Sequence, residues 1–195
     1  MNLSERQQRV LVGTLLGDGC LERNGRWVRL RVDHGPKQEA YARWKHRVFR
    51  SVAAGRLRRT TVYDPRAQRR YEHWRFDTLS LGVLATWRWL FYRNGRKIVP
   101  KTISRWLKEP IALAVWFMDD GYGRKDCRGL HLNTQAFGIR EQHRLQRMLE
   151  RNFGLRTTIH WACGRPKLYL PVAQARKFRQ LVRNCAVPGL RDKLS

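Results

Sequence analysis

Two hydrophobic patterns alternate along the chain. The stretch Val10-Leu11-Val12-Gly13-Thr14-Leu15-Leu16 is apolar nearly all round, which predicts a helix buried between two other layers. Ser4 with Gln7 three residues on predicts a capping box at its start, and Gly19 its end. Then the period changes. Asn24-Gly25 is a two-residue hairpin signal, and beyond it Val28, Leu30 and Val32 alternate with Arg29, Arg31 and Asp33. That strand has one apolar face and one mostly cationic face. Pro36 predicts the first turn of a helix carrying Tyr41, Trp44 and Phe49 and ending near Gly55. A second hairpin is expected over residues 57–78, turning at Asp64-Pro65, and a helix over 79–92.

The order restarts at Pro110. Residues 111–120 form a second apolar run ended by Gly121, and a hairpin is expected over 122–137, where Leu130, Leu132 and Thr134 alternate with His131, Asn133 and Gln135. A helix over 140–153 ends at Gly154, a hairpin over 155–172 turns near Gly164-Pro166, and a last helix covers 173–184. Each half reads helix, hairpin, helix, hairpin, helix. The pattern predicts an α+β fold with an N-terminal half over residues 1–100, a short basic linker over 101–109 and a C-terminal half over 110–195.

Composition narrows the partner. The chain of 195 residues has a formal net charge of +26. Self-repulsion of that size opposes compaction, and a polyanion is the simplest reason to keep it. Of the 41 basic residues 9 are lysine and 32 arginine, a bias suited to phosphate and guanine edges. Cys20, Cys127, Cys163 and Cys185 make no CxxC pair and read as reduced thiols. The six histidines form no HxxxH or HNH-like cluster, and no Walker-type glycine loop appears. No apolar run reaches membrane-spanning length. With no visible export signal or transit peptide, these features lead us to expect a bacterial or archaeal cytoplasm.

Chemistry concentrates at the ends of the two apolar helices. Leu-Val-Gly-Thr-Leu-Leu-Gly-Asp18-Gly19 and Leu-Ala-Val-Trp-Phe-Met-Asp-Asp120-Gly121 both finish on aspartate-glycine, 102 positions apart. A carboxylate is unfavourable there, because a helix C-terminus already carries partial negative charge. Two such ends side by side call for a divalent cation, and carboxylates and free helix-end carbonyls, such as that of Gly17, are the hard oxygen ligands Mg²⁺ accepts.

These two segments resemble the paired signature helices of the LAGLIDADG homing endonucleases, in the single-chain form with two motifs. The segment Trp116–Gly121 and the strand Leu132-Asn133-Thr134-Gln135 look like the yeast mitochondrial intron branch, and the similarity runs from about Leu11 to Leu194. The resemblance implies two pseudo-symmetric αββαββα halves with antiparallel saddle-shaped sheets lying in the major groove of double-stranded DNA, packed through the two signature helices. It implies a monomeric enzyme that cuts both strands of a long asymmetric site. Asp18 and Asp120 would hold Mg²⁺, with Ca²⁺ or Mn²⁺ as substitutes, and Asp119 would support them. Lys97 and Lys193, 79 and 73 residues after the acids, match basic positions near each active centre, with Lys101 competing for the first. Base reading would fall to Arg23, Arg26, Arg29, Arg31, Arg75, His131, Asn133, Gln135, Arg156 and His160. A DNA-binding regulator without catalysis, or a maturase acting on intron RNA, uses the same scaffold. One departure concerns packing. Gly13 and Gly17 permit close approach in the first signature helix, but the second has Val115 and Asp119 in the matching places, so its side must rely on Ala112 or Ala114 or pack more loosely.

Overall fold

A computed structural model describes residues 1–194. The first half runs α1 (Glu5–Leu16), β1 (Cys20–Asn24), β2 (Trp27–His34), α2 (Glu39–Val48), β3 (Arg58–Asp64), β4 (Arg69–Asp77) and α3 (Gly82–Phe91). A small hairpin, β5 (Tyr92–Arg93) and β6 (Arg96–Lys97), and a short helix α4 (Ile103–Trp106) lead to the second half. This runs α5 (Pro110–Asp120), β7 (Gly121–Gly123), β8 (Leu130–Leu132), α6 (Ile139–Phe153), β9 (Thr158–Ala162), β10 (Arg165–Leu170) and α7 (Val172–Val182), followed by α8 (Leu190–Leu194). The two four-stranded sheets have the same order, β1-β2-β4-β3 and β7-β8-β10-β9, and every pairing is antiparallel. The fold is therefore the α+β class predicted, with αββαββα written twice.

Local signals explain most boundaries. The Ser4 hydroxyl accepts from the Gln7 amide and the Gln7 side chain accepts from the Ser4 amide, closing the expected capping box. Pro110 occupies the first turn of α5, where its missing N–H leaves no bond unmade. Gly154, at φ 61°, ends α6 in the left-handed conformation that glycine tolerates. Both α1 and α5 are buried nearly all round, packed on each other, with α2 also against α1 and α7 also against α5.

Several boundaries differ from expectation. Gly17, not Gly19, caps α1. The linker stretch carries α4, whose Ile103 and the following Leu107 are buried, and Asn152 of α6 donates to the carbonyls of Ser104 and Leu107 at 2.9 and 2.6 Å. The hairpin β5–β6 turns at Asn94-Gly95, a two-residue signal that a helix reading over 79–92 passed over. The strand expected to run through Gln135 stops at Leu132, because Thr134 leaves the ladder to bond Gln142. Trp87 and Trp116 are buried, whereas Trp89 is 79% exposed and Trp106 reaches the surface. No helix among the described residues is long and apolar enough to cross a membrane.

Candidate active site

The two signature helices meet through glycine notches. A Cβ on Gly13 would lie 2.3 Å from the Ala112 carbonyl oxygen and 2.9 Å from Cβ of Val115, and one on Gly17 would lie 2.3 Å from Cβ of Asp119. Only glycine fits at that separation. The expected reliance of α5 on alanines, or its looser packing, is thereby corrected: Val115 and Asp119 are the knobs that fill the notches of α1.

This packing brings three carboxyl groups to one place. Asp18 reaches solvent just beyond α1, Asp120 is half-buried at the end of α5, and the Asp119 side chain is fully buried. Lost hydration, followed by repulsion from Asp119, pushes the Asp18 carboxyl up to about 6. Lost hydration, then Asp18 and Asp119, pushes Asp120 up to about 7. Asp119 is held differently. Lys45 of α2 donates to both its oxygens at 2.8 and 2.9 Å, the Tyr41 hydroxyl donates at 2.8 Å, and the Asp18 amide donates at 3.3 Å. Burial and the Asp119 carboxylate hold the Tyr41 phenol well above its ordinary range.

Each helix end also receives a lysine. Lys97, on β6, donates to the carbonyls of Gly17 and Gly19 at 2.6 and 2.8 Å. Lys193, on α8, donates to the carbonyl of Met118 at 2.5 Å. These carbonyls lack an intrahelical partner, so the ammonium groups answer both the missing bonds and the negative end of the helix dipole. Burial lowers the affinity of both lysines for their protons, and the three aspartates oppose that loss. Lys101 is exposed and is not part of this cluster. The Gly17 carbonyl, expected among the metal ligands, is bonded by Lys97.

A divalent cation fits the donor set. Asp18 and Asp120 present carboxylates whose burial, and then repulsion from neighbouring carboxylates, already raises their proton affinity, and a hard cation relieves that cost as a proton does. His34 stands beside them. It is 2% exposed, its ring nitrogens have no hydrogen-bond partner among the described residues, and it lies with Asp18 and Asp119 in a group whose ligand atoms are within 4.8 Å of one another. Burial, then the Lys45 charge, lowers its pKa to about 4, so the ring is neutral at pH 7.

The sheet faces turned away from the helices carry the other candidates. In the first sheet Arg29 and Arg31 reach Glu22 at 3.1 and 2.7 Å, Arg31 also reaches Asp77 at 2.9 Å, and Arg58 reaches Asp77 at 2.8 Å. Arg75 and His73 both bond Asp33, at 2.7 and 2.8 Å. Arg23 is placed otherwise than expected: it pairs with Val28 and lies two residues from buried Leu21, on the same face, which puts it on the helix side of the sheet, away from Arg29 and Arg31. Arg26 lies at the hairpin tip over the Trp27 ring.

In the second sheet the corresponding face is a ladder of rings. Tyr122, His131, Tyr169 and His160 follow one another with centroids 5.1, 4.9 and 4.3 Å apart, and Lys167 donates to the Tyr122 hydroxyl at 2.6 Å. His131 is buried under this ladder, and lost hydration, then Lys167, lowers its pKa to about 4. Asn133 is exposed just past β8, where its amide donates to the Asp120 carbonyl at 2.9 Å. Gln135 lies in the following turn, 3.4 Å from Asn133. Arg156 precedes β9 and is drawn to Glu150 of α6 at 3.0 Å, so it does not join the sheet face.

Sequence reasoning singled out neither Lys45 and Tyr41 nor His34, nor the acids Glu22, Asp33 and Asp77. One signal was available. Tyr41, Trp44, Lys45 and Val48 share a helical face, and a lysine inside an apolar stripe implies a buried acid elsewhere. His34 continues the alternation Val28, Leu30, Val32 and was likewise readable as inward-facing.

Comparison with known proteins agrees with this geometry. Protein RecA of Mycolicibacterium chitae is 30% identical over 98% of this chain, which covers 47% of that protein; the chain thus spans about half the length of such relatives. DNA endonuclease I-ChuI of Chlamydomonas applanata is 26% identical over the whole chain and 97% of its own length. A cytochrome b mRNA maturase of Debaryomyces hansenii is 26% identical over 81% of this chain and 61% of its own length. These algal and yeast relatives overturn the expectation of a bacterial or archaeal cytoplasm, since an arginine-rich composition does not set the chain apart from eukaryotic endonucleases and maturases. Among solved structures, the homing endonuclease I-WcaI bound to its DNA recognition sequence superposes with a TM-score of 0.90 at 26% identity, covering 100% of this chain and 88% of that one. I-DmoI in complex with DNA and Mn shares the fold, with a TM-score of 0.52 at 16% identity over 94% and 98% of the two chains. The profile of the LAGLIDADG DNA endonuclease family matches residues 8–178, and the chain belongs to that family.

Proposed function

We propose that the chain is a monomeric, site-specific endonuclease that hydrolyses one phosphodiester on each strand of a long asymmetric DNA site, with Asp18 and Asp120 as the two metal-binding acids. The observation that carries this is the pair of carboxyls pushed up to about 6 and about 7 where two helix ends converge. Perturbed acids with cationic neighbours mark a catalytic centre more often than a structural one. I-WcaI bound to its DNA recognition sequence supports duplex DNA as the partner. The halves, residues 1–100 and 110–195, would each present one sheet to the major groove.

A divalent cation, Mg²⁺ in our reading, would be held by Asp18 and Asp120; when bound it supplies positive charge to the scissile phosphate and lowers the pKa of water. The chain's own groups do the rest. Lys97 and Lys193, fixed by helix-end carbonyls, set positive charge beside each acid before substrate arrives, so little reorganisation is needed as charge grows on the phosphate oxygens. Asp119, paired with Lys45, positions the end of α5, and burial, more than its charge, keeps Asp18 and Asp120 avid for a cation. Arg29, Arg31 and Arg75 on one sheet, and His160 on the other with Asn133 and Gln135 just past the end of β8, present different chemistry to the two half-sites, which suits an asymmetric target.

The test is cleavage of a library of duplex sites with Mg²⁺, each strand scored separately, by the wild type and by Asp18→Asn and Asp120→Asn. Loss of cutting in both variants with binding retained is expected. Undiminished cutting of both strands by either variant would exclude this active centre, and binding without cutting by the wild type would favour a regulator. The maturase relative favours a second reading, assistance to intron splicing; tight binding confined to structured intron RNA would select it.

A further inference from the structure

The strand ladders make the two half-sites comparable residue by residue. Cys20 opposes Arg31 in one and Gly121 opposes Leu132 in the other. Extending each ladder towards its acid sets Asp33 opposite Asp18 and Asn133 opposite Asp120. The next residues, His34 and Thr134, are therefore counterparts, and both are buried.

Their partners differ. The Thr134 hydroxyl donates to Gln142 at 2.7 Å and accepts from the Leu168 amide at 3.1 Å, so the core absorbs it. Neither nitrogen of His34 has a partner among the described residues, although a buried polar group left unpaired is unfavourable and usually signals an ion or water. The ligand atoms of His34, Asp18 and Asp119 all lie within 4.8 Å of one another. Asp119 is committed to Lys45 and cancels its charge, which leaves Asp18 and His34 as the pair free to converge on one ion.

We propose that His34 is an imidazole ligand to the divalent cation of the Asp18 half-site, a ligand the Asp120 half-site lacks, so that the two half-sites prefer different ions. This rests on the cation site proposed at Asp18. An all-oxygen site suits Mg²⁺ and Mn²⁺, whereas an added imidazole shifts preference towards later transition ions such as Co²⁺ and Ni²⁺.

Pulsed electron paramagnetic resonance of Mn²⁺ added to the full chain reads the bond directly, through ¹⁴N coupling. The wild type and Asp120→Asn are expected to show imidazole coupling, and His34→Gln and His34→Leu to lose it, with Mn²⁺ affinity at this half-site falling at least about tenfold. Thermal melting checks that each variant is folded, and the wild-type spectrum decides even where a variant is not. Mn²⁺ bound in an Asp18-dependent way without nitrogen coupling overturns the role of His34 and leaves the Asp18 site standing. Mn²⁺ binding unchanged by Asp18→Asn, or no Mn²⁺ binding, overturns both.

Discussion

The ends of α1 and α5 are the same motif built with opposite allocations of bulk and charge. The first end is Gly17-Asp18-Gly19, with an acid that reaches solvent and a glycine, Gly17, that lets the partner in; the second is Asp119-Asp120-Gly121, with one buried acid and one half-buried acid. Gly13 and Gly17 receive Val115 and Asp119 in a single interlocking seam. Pseudo-symmetry therefore holds for the backbone and not for the side chains. A duplicated chain is free to specialise its copies, provided that what one gives up in volume the other fills.

The sharpest way to break this arrangement is to strand the buried acid. Lys45→Met leaves Asp119 without its cation, and removing one partner of a buried pair costs about 3–5 kcal/mol. Chemical denaturation should report that loss. Lys45→Met combined with Asp119→Leu should recover most of it, because the cavity then holds no unpaired charge. Equal losses in the single and double variants would mean that the pair is not the latch between α2 and α5.

The seam itself is next in size. Gly13→Ala puts a methyl group 2.3 Å from the Ala112 carbonyl oxygen, a backbone atom that cannot swing aside. Overpacking of this kind costs about 1–3 kcal/mol. Gly35→Ala, at a position where a Cβ meets nothing within 4 Å, is the control and should change stability little. Similar melting temperatures for the two variants would show that the helices separate at small cost.

How much of this asymmetry was legible follows from its physical scale. The repeat of elements, the glycine spacing of α1 and the placement of Asp18 and Asp120 at two helix ends all lie in local patterns, and the structure has them where the chain pattern puts them. The complement of the glycines did not, since Val115 and Asp119 look bulky until the partner's notches are known. Arg23 was misassigned for a related reason. Its charge suggested a groove face, but its place in β1, two residues from Leu21 and opposite Val28, puts it on the other side. Lys45 and His34 were hidden because a polar residue on an apolar face gains its meaning only from what packs against it. The strand through Gln135 was lost to one side-chain bond, Thr134 to Gln142.

The two helix ends also predict an unusual response to pH. Asp120 and Asp18 bind protons more tightly in the folded chain than at the ordinary carboxyl value of 3.8. Between pH 4 and 7 these groups make the folded state bind more protons than the unfolded one, so their contribution to stability falls as pH rises across that window. Asp120→Asn should remove part of this penalty and stabilise the metal-free protein at pH 7.5 by about 1–2 kcal/mol, after allowance for solvent screening. The gain should vanish at pH 4, where the wild-type carboxyl is protonated. Mg²⁺ should raise the wild-type melting temperature more at pH 7.5 than at pH 5. A variant no more stable than the wild type at pH 7.5 in chelator would deny that burial and the neighbouring acids penalise the charged Asp120 carboxylate.

The smallest expected effect tests whether the contrast extends to the sheets. Glu22 bonds both Arg29 and Arg31, whereas the second sheet's face is a ladder of largely neutral rings. The first face is therefore a set of arginines held in place by acids, and the second presents mainly rings beside Lys167. Glu22→Gln should change folding stability by no more than about 0.5 kcal/mol, because these pairs are partly exposed. It should nevertheless release cationic forks to phosphate, steepening the fall of DNA affinity with salt by about one unit of slope for each new phosphate contact. Tyr169→Leu, in the opposite sheet, removes a ring and no cation, and should leave that slope unchanged while weakening affinity. Equal salt slopes for Glu22→Gln and the wild type would mean that the arginines already reach phosphate from within their ion pairs, and that the acids orient them without holding them back.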